Sequence, residues 1–147
     1  MMIFSKLNIR EQQHEYFHLL VQLYPELTKE KFDTLIDQML ESGYSMLGLY
    51  DHNQLVAIAG FAIHFNLYEG KHLYLYDLVC DENLRSNGYG RQMIEQLQQV
   101  ALEANCERIV LCSKFERVDA IRFYTEKLDF AKTKYVIERM IKKVEMK

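Results

Sequence analysis

The sequence predicts an α/β domain built on a mixed sheet, and three observations predict it. Two amphipathic helical stretches follow a short opening strand. A run of strand-like segments comes next, and helical and strand-like stretches then alternate to the C-terminus. The 147 residues suffice for one domain with a real core, and no internal linker interrupts them, so residues 1–147 read as a single domain.

Residues 3–9 read as the opening strand. From Glu11 to Leu23 the apolar positions Tyr16, Phe17, Leu19, Leu20 and Leu23 recur at helical spacing. Thr28 is placed to cap a second helix, with Lys31 at its third position, so only half of a capping box is present. That helix sets Phe32, Leu35, Ile36 and Met39 on one face and stops at Gly43. The period then changes. Tyr44–Tyr50 and Leu55–Phe65 read as strands joined at Asp51-His52-Asn53, a hairpin turn. The run from Leu55 to Ile63 is nearly all apolar, as in a central strand covered on both faces.

After Glu69-Gly70 another strand runs from Leu73 to Cys80. A polar loop over residues 81–87 leads into a helix from Gly88 to Ala104, with Met93, Ile94, Leu97, Val100, Ala101 and Ala104 on its apolar stripe. Asn105 ends that helix. Arg108–Cys112 reads as a short strand, Arg117–Leu128 as a helix and Lys132–Ile141 as a closing strand. The expected order is β-α-α-β-β-β-α-β-α-β, a mixed central sheet flanked by helices.

Composition narrows the class of function. With 49% apolar and 27% charged residues the chain is an ordinary globular protein rather than a disordered one. No apolar run approaches the ~18 residues of a membrane helix, and the start is not a secretory signal, so no membrane partner is expected. A net charge of −3 argues against nucleic acid as the main partner. Cys80, Cys106 and Cys112 form no CxxC pair; the odd count suits the reducing cytoplasm rather than a disulfide framework or a zinc site. His14 and His18 stand at i, i+4 on one helix, a metal-binding spacing, but without a third ligand nearby they read as surface residues and no metal is expected. Charge is unevenly spread. Residues 1–70 hold four Lys/Arg against nine Asp/Glu, a net of −5, and residues 71–147 hold fourteen against twelve, a net of +2.

The informative stretch runs from Leu73 to Arg91. It reads strand, polar loop, then Arg85-x-x-Gly88-x-Gly90 at a helix start. Glycines there allow close backbone approach, and the free N–H groups of a first helical turn carry the positive end of the helix dipole. Such a loop suits a phosphate or pyrophosphate, with Arg85 and Arg91 adding charge-assisted hydrogen bonds. The same residues could also do no more than build a tight strand-to-helix turn. A P-loop lysine and the third glycine of a dinucleotide fingerprint are both missing.

These residues resemble the GNAT superfamily of N-acetyltransferases, whose members carry Arg/Gln-x-x-Gly-x-Gly/Ala after the fourth strand. Tyr74-Leu-Tyr-Asp-Leu-Val79 is similar to the pattern that often precedes it. The block Ala120-Ile-Arg-Phe-Tyr-Thr-Glu-Lys-Leu-Asp-Phe130 is similar to the family's Ala-x-x-x-Tyr-x-x-x-Gly-Phe, which sets its tyrosine at Tyr124. Element order matches as well, so the resemblance spans essentially the whole chain.

The resemblance implies an acetyl-CoA-dependent N-acetyltransferase in which a neutral amine attacks the thioester directly. Arg85, Ser86, Asn87, Gly88, Tyr89, Gly90 and Arg91 would bind the pyrophosphate, chiefly through backbone N–H groups. The backbone of Leu78, Val79 and Cys80 would hold the pantetheine arm, with the N–H near Val79 donating to the thioester carbonyl. Tyr124 would sit near the sulfur as general acid; a phenol with a pKa of about 10 keeps its proton at neutral pH. Two positions depart from the family. Arg117 stands where an Asn usually touches the cofactor, and an arginine there could reach a phosphate instead. Asp129 replaces the Gly before Phe130, a change of turn that Asp tolerates.

Asp77 is the candidate base. Strand alternation places it with Leu73, Leu75 and Val79, an apolar setting that raises a carboxylate pKa. It could equally contact the acceptor amine without moving protons. Tyr44, Tyr68, Tyr74 and Tyr76 could line an acceptor pocket or serve as packing residues, and His64 and His72 are weaker candidates for proton shuttles. Cys80 lacks an evident partner histidine for nucleophilic work. The expected acceptor is a small cationic amine, in keeping with the acidic N-terminal half and a likeness near Tyr74–Val79 to diamine acetyltransferases. Three alternatives stand beside it: a protein N-terminal or lysine acetyltransferase, a CoA-binding regulatory module without transfer activity, and a different nucleotide-binding α/β protein that uses the Gly88–Gly90 loop. Members of the family are often dimers, so a homodimer is open.

Overall fold

The computed structural model describes residues 1–85 and 87–142. They divide into two compact units, one from Met1 to Leu111 and one beginning at Cys112. The first unit is a five-stranded sheet in the order β1-β2-β3-β4-β5. Its strands are β1 (Met2–Lys6), β2 (Ser45–Asp51), β3 (Gln54–Asn66), β4 (Gly70–Cys80) and β5 (Arg108–Leu111). All neighbours are antiparallel except β4 and β5, which run parallel because helix α3 (Tyr89–Glu103) crosses between them.

Helices α1 (Gln13–Leu23) and α2 (Lys29–Glu41) lie between β1 and β2. Thr28 caps α2 as expected, its hydroxyl accepting from the Lys31 N–H at 3.1 Å. Gly43 ends α2 with φ +93°, a left-handed conformation that a Cβ would strain. His52 and Asn53, with φ of +50° and +64°, make the β2–β3 hairpin turn, in which both central residues must be left-handed.

Tyr16, Leu19 and Leu20 of α1 and Phe32 and Ile36 of α2 form one core with Tyr44, Met46, Ile58 and Val79 from the sheet side. The Tyr16 hydroxyl is satisfied by the Ile9 carbonyl at 2.5 Å. Met93, Ile94, Leu97 and Ala101 of α3 are buried outside that cluster, and α3 packs on β3 and β4. One sheet face is already covered by α1 and α2, so α3 covers the other. Burial on both faces is why β3 reads as an uninterrupted apolar run.

The second unit departs from expectation in two ways. The helix predicted over 117–128 is a short α4 (Val118–Arg122) that widens into a π-helical turn at Phe123–Lys127. The closing strand predicted over Lys132–Ile141 is not formed; residues 131–140 are exposed and carry no ladder. Alternation favours an extended chain, but only a paired neighbour makes a strand. Asp129 takes φ +60°, so the aspartate fills the left-handed position that a glycine would otherwise hold.

Candidate active site

Asp77 sits at a break in β4. Along β3, Gly60 faces Asp77 and Phe61 faces Leu75, which leaves Tyr76 as the extra residue of a β-bulge. Simple alternation therefore fails here, which corrects the expectation that Asp77 shares a face with Leu73 and Leu75. The Tyr76 ring lies 4.7 Å from that of Tyr74 and 5.9 Å from that of Tyr44. Tyr44 in turn donates its hydroxyl to Asp77 Oδ2 at 2.5 Å. The bulge has carried Asp77 to the tyrosine side, under α1 and α2.

A second hydroxyl, from Tyr24 at the C-terminal end of α1, donates to Asp77 Oδ1. Asp77 is only 7% exposed, and two hydroxyls cannot replace its lost hydration. Burial pushes its carboxyl above the ordinary carboxylate range, while the Tyr24 and Tyr44 hydroxyls pull it down. Tyr44 is driven well above a normal phenol, first by burial and then by the Asp77 charge, so it remains a donor. On the same side His64 Nε2 lies 2.7 Å from the Tyr76 hydroxyl.

Gly60 makes this arrangement sterically feasible. A Cβ at Gly60 would overlap both the Tyr44 hydroxyl and the Asp77 carboxylate. Sequence reasoning missed Gly60 and Tyr24. A glycine inside an apolar strand is a signal of close backbone approach; nothing in sequence ties Tyr24 to a carboxylate 53 residues later.

Beyond the bulge, β4 stays paired with β3 as far as Cys80, whereas its pairing with β5 covers only His72–Leu75. Leu78, Val79 and Cys80 thus keep one row of backbone groups in the β3 ladder and turn the other toward the edge where β5 has ended. Burial raises the Cys80 thiol, and the nearby Arg85 charge acts against it, so Cys80 is not set up as a thiolate nucleophile.

The loop that follows opens with Asp81 capping a 3₁₀ turn at Glu82–Leu84. Asn87 closes it, donating Nδ2 to the Leu84 carbonyl at 2.7 Å. Gly88 is the N-cap of α3 with φ +78°, ψ +12°, a conformation that suits glycine, and a Cβ there would meet nothing within 4 Å. Gly90 lies inside the first helical turn. That turn carries no acidic residue, and no side chain caps it. Outward N–H groups, an uncluttered approach and no carboxylate fit an anionic group. Tyr89, between the two glycines, donates its hydroxyl to Asp51 Oδ2 at 2.7 Å, which ties the start of α3 to the β2–β3 hairpin. That hydrogen bond lowers the Asp51 carboxyl and raises the Tyr89 phenol. Ser86, the remaining expected contact of the loop, lies outside the described residues.

In the second unit, Tyr124 packs edge-on against Phe123 and Phe130, with centroids 5.5 and 5.4 Å away. Its carbonyl accepts from the Phe130 N–H at 3.0 Å, so the turn at Asp129 holds this aromatic group together. Arg117 is the N-cap residue of α4, and its carbonyl accepts from Ile121 N–H at 3.0 Å. Among the described residues no helix is long and apolar enough to cross a membrane. No group of three or more His, Cys, Asp or Glu is placed among them to hold a metal ion.

Solved structures share this fold. An aminoglycoside N-acetyltransferase, AAC(6')-Iy, in complex with a bisubstrate analogue, CoA-S-monomethyl-acetylneamine, superimposes with a TM-score of 0.81 over 97% of this chain and 99% of that one, at 16% identity. The ribosomal-protein-alanine N-acetyltransferase of Brucella melitensis biovar Abortus 2308 does so with a TM-score of 0.76 over 95% and 99%, at 18% identity. The architecture is that of the GNAT N-acetyltransferases. In sequence, the chain is 27% identical over 138 residues to YhdJ of Bacillus subtilis (strain 168), described as an uncharacterized N-acetyltransferase, covering 93% of this chain and 97% of the relative. The model of the acetyltransferase (GNAT) family matches residues 8–130, and the chain belongs to that family. It is accordingly an N-acetyltransferase that uses acetyl-CoA as its cosubstrate.

Proposed function

We propose that the protein acts as a single cytoplasmic domain that acetylates the primary amine of a small cationic acceptor by direct attack. The observation that carries this reading is the buried Asp77, held by the Tyr24 and Tyr44 hydroxyls at the β4 bulge next to the free edge of Leu78–Cys80. The net charge of −5 over residues 1–70, which include α1 and α2, favours a cationic partner over an anionic one.

Acetyl-CoA supplies the activated acetyl thioester. Arg85 to Arg91 hold its pyrophosphate through first-turn N–H groups, and Arg117 takes a phosphate. The Leu78–Cys80 backbone holds the pantetheine arm, with an outward N–H beside Val79, from Leu78 or Cys80, stabilising negative charge on the carbonyl oxygen. Asp77 accepts the proton that the acceptor's ammonium must lose, and Tyr124 donates one to the leaving sulfur. Support for Tyr124 comes from its place in the family's tyrosine block, within the matched residues.

Two experiments test the reading. Acetyl-CoA should raise the melting temperature well beyond ADP, and free thiol should be released with simple alkylamines in preference to short peptides or acidic amino acids. Equal shifts with ADP, or release with peptides alone, would overturn it. A Tyr124→Phe variant is expected to lose about 10²-fold or more in kcat with little change in KM for either substrate. An unchanged kcat removes Tyr124 from the acid role. Tyr89→Phe, which cuts the tie to Asp51, is expected to raise KM for acetyl-CoA severalfold at constant kcat, read from initial rates.

A further inference from the structure

We propose that the cleft between α2 and strands β3 and β4 is the acceptor subsite. It takes a primary amine carried on an uncharged apolar body no larger than one ring or a short aliphatic chain. This rests on the small-amine reading above and narrows it to a class of substrate.

The cleft measures about 220 Å³. Leu35, Gln38, Met39 and Ser42 line it from α2 and its C-cap, at the i, i+3, i+4, i+7 spacing of a single helix face. Tyr44, Ala62 and Tyr76 line it from the other side. The two tyrosines bring the cleft to the reacting end of the molecule: Tyr44 donates to Asp77, and Tyr76 is its neighbour in the bulge. An ammonium at that wall meets two phenol side chains and, behind Tyr44, a carboxylate.

The rest of the lining decides what the amine is attached to. Leu35, Met39 and Ala62 are apolar, Gln38 and Ser42 are neutral, and among the described residues no charged side chain lines the cleft. A second ammonium there would shed water without gaining a counter-charge. At the rim, Leu35 and Tyr76 are 42% and 44% exposed, apolar surface that an apolar body would cover. Volume sets the size of the part that the cleft encloses. Drug-sized ligands occupy pockets of about 300–1,000 Å³, whereas an apolar cavity of about 150 Å³ takes up one benzene ring. The acidic surface of the N-terminal half draws the ammonium in at long range, and the cleft then selects against further charge.

The test compares hexylamine with 1,6-diaminohexane, matched in length and differing by one ammonium. Wild-type kcat/KM should favour hexylamine by at least roughly tenfold. Gln38→Glu, an isosteric change at an exposed position, places a carboxylate in the lining and should shrink or invert that ratio. Leu35→Ala should lower kcat/KM for hexylamine and leave the diamine little changed. The thermal shift with acetyl-CoA confirms that both variants fold and bind the cosubstrate. A wild-type enzyme that uses the diamine as well as hexylamine, or a ratio unmoved in both folded variants, overturns the subsite. Turnover of a peptide N-terminus with neither amine acetylated is a different result; it overturns the small-amine reading and this inference with it.

Discussion

Asp77→Asn is expected to slow acetylation by about 10²–10⁴-fold at neutral pH without loss of stability. Asparagine keeps the volume of the side chain and can still meet the Tyr24 and Tyr44 hydroxyls, but it cannot take a proton. In the wild type, burial holds the Asp77 carboxyl above its ordinary range, so the acid limb of the kcat/KM profile should lie above that range. The limb should vanish in the variant.

The same shift determines the sign of the stability effect. Because the folded-state pKa is raised, the native state binds more protons than the unfolded chain between the two values, and stability falls as pH rises through that window. At neutral pH the wild type carries the whole cost of a buried carboxylate, and Asp77→Asn does not. Its melting temperature should equal or exceed that of the wild type at pH 7, and the gain should disappear below the carboxylate range. A variant that keeps its wild-type rate and changes only KM for the amine would reduce Asp77 to an acceptor contact.

Gly60→Ala is the second large effect. The new methyl would overlap the Tyr44 hydroxyl and the Asp77 carboxylate, so both must move or the strand must shift. Overpacking of this kind costs about 1–3 kcal/mol, measurable by denaturant unfolding, and should take most of the activity with it. Adding Tyr44→Phe tests the cause. Alone, Tyr44→Phe leaves Asp77 Oδ2 without its donor and destabilises. In the Gly60→Ala background it removes an overlapping hydroxyl and should restore part of the stability. Costs that simply add would show that the methyl is accommodated some other way.

The loop before α3 was legible because its geometry is local. The strand-loop-helix stretch from Leu73 to Arg91 needs only a glycine at a left-handed N-cap and a helix N-terminus, and Gly88 supplies that geometry with φ +78°. The substitution of Asp129 for glycine was readable for the same reason, since one backbone angle decides it. Strand extent was less legible. Residues 132–141 carry an alternating pattern, yet a pattern does not supply a neighbour to pair with.

The sequence by itself determined the order of elements through β5 and α4, although β1 and β4 differ from the expected spans by three residues at one end and α4 is much shorter than the expected helix. It also determined the glycine-bearing loop before α3 and the family, because helix and strand periods and short glycine motifs act within a few residues. Only the tertiary structure decided which face of the sheet Asp77 occupies and what holds it there. One bulged residue, Tyr76, shifts every side chain after it to the other face, and the bulge exists only through pairing with β3. The donors on Asp77 come from Tyr24 and Tyr44, 53 and 33 residues away in sequence. Packing of α1 against the sheet, and the missing Cβ of Gly60, bring them together.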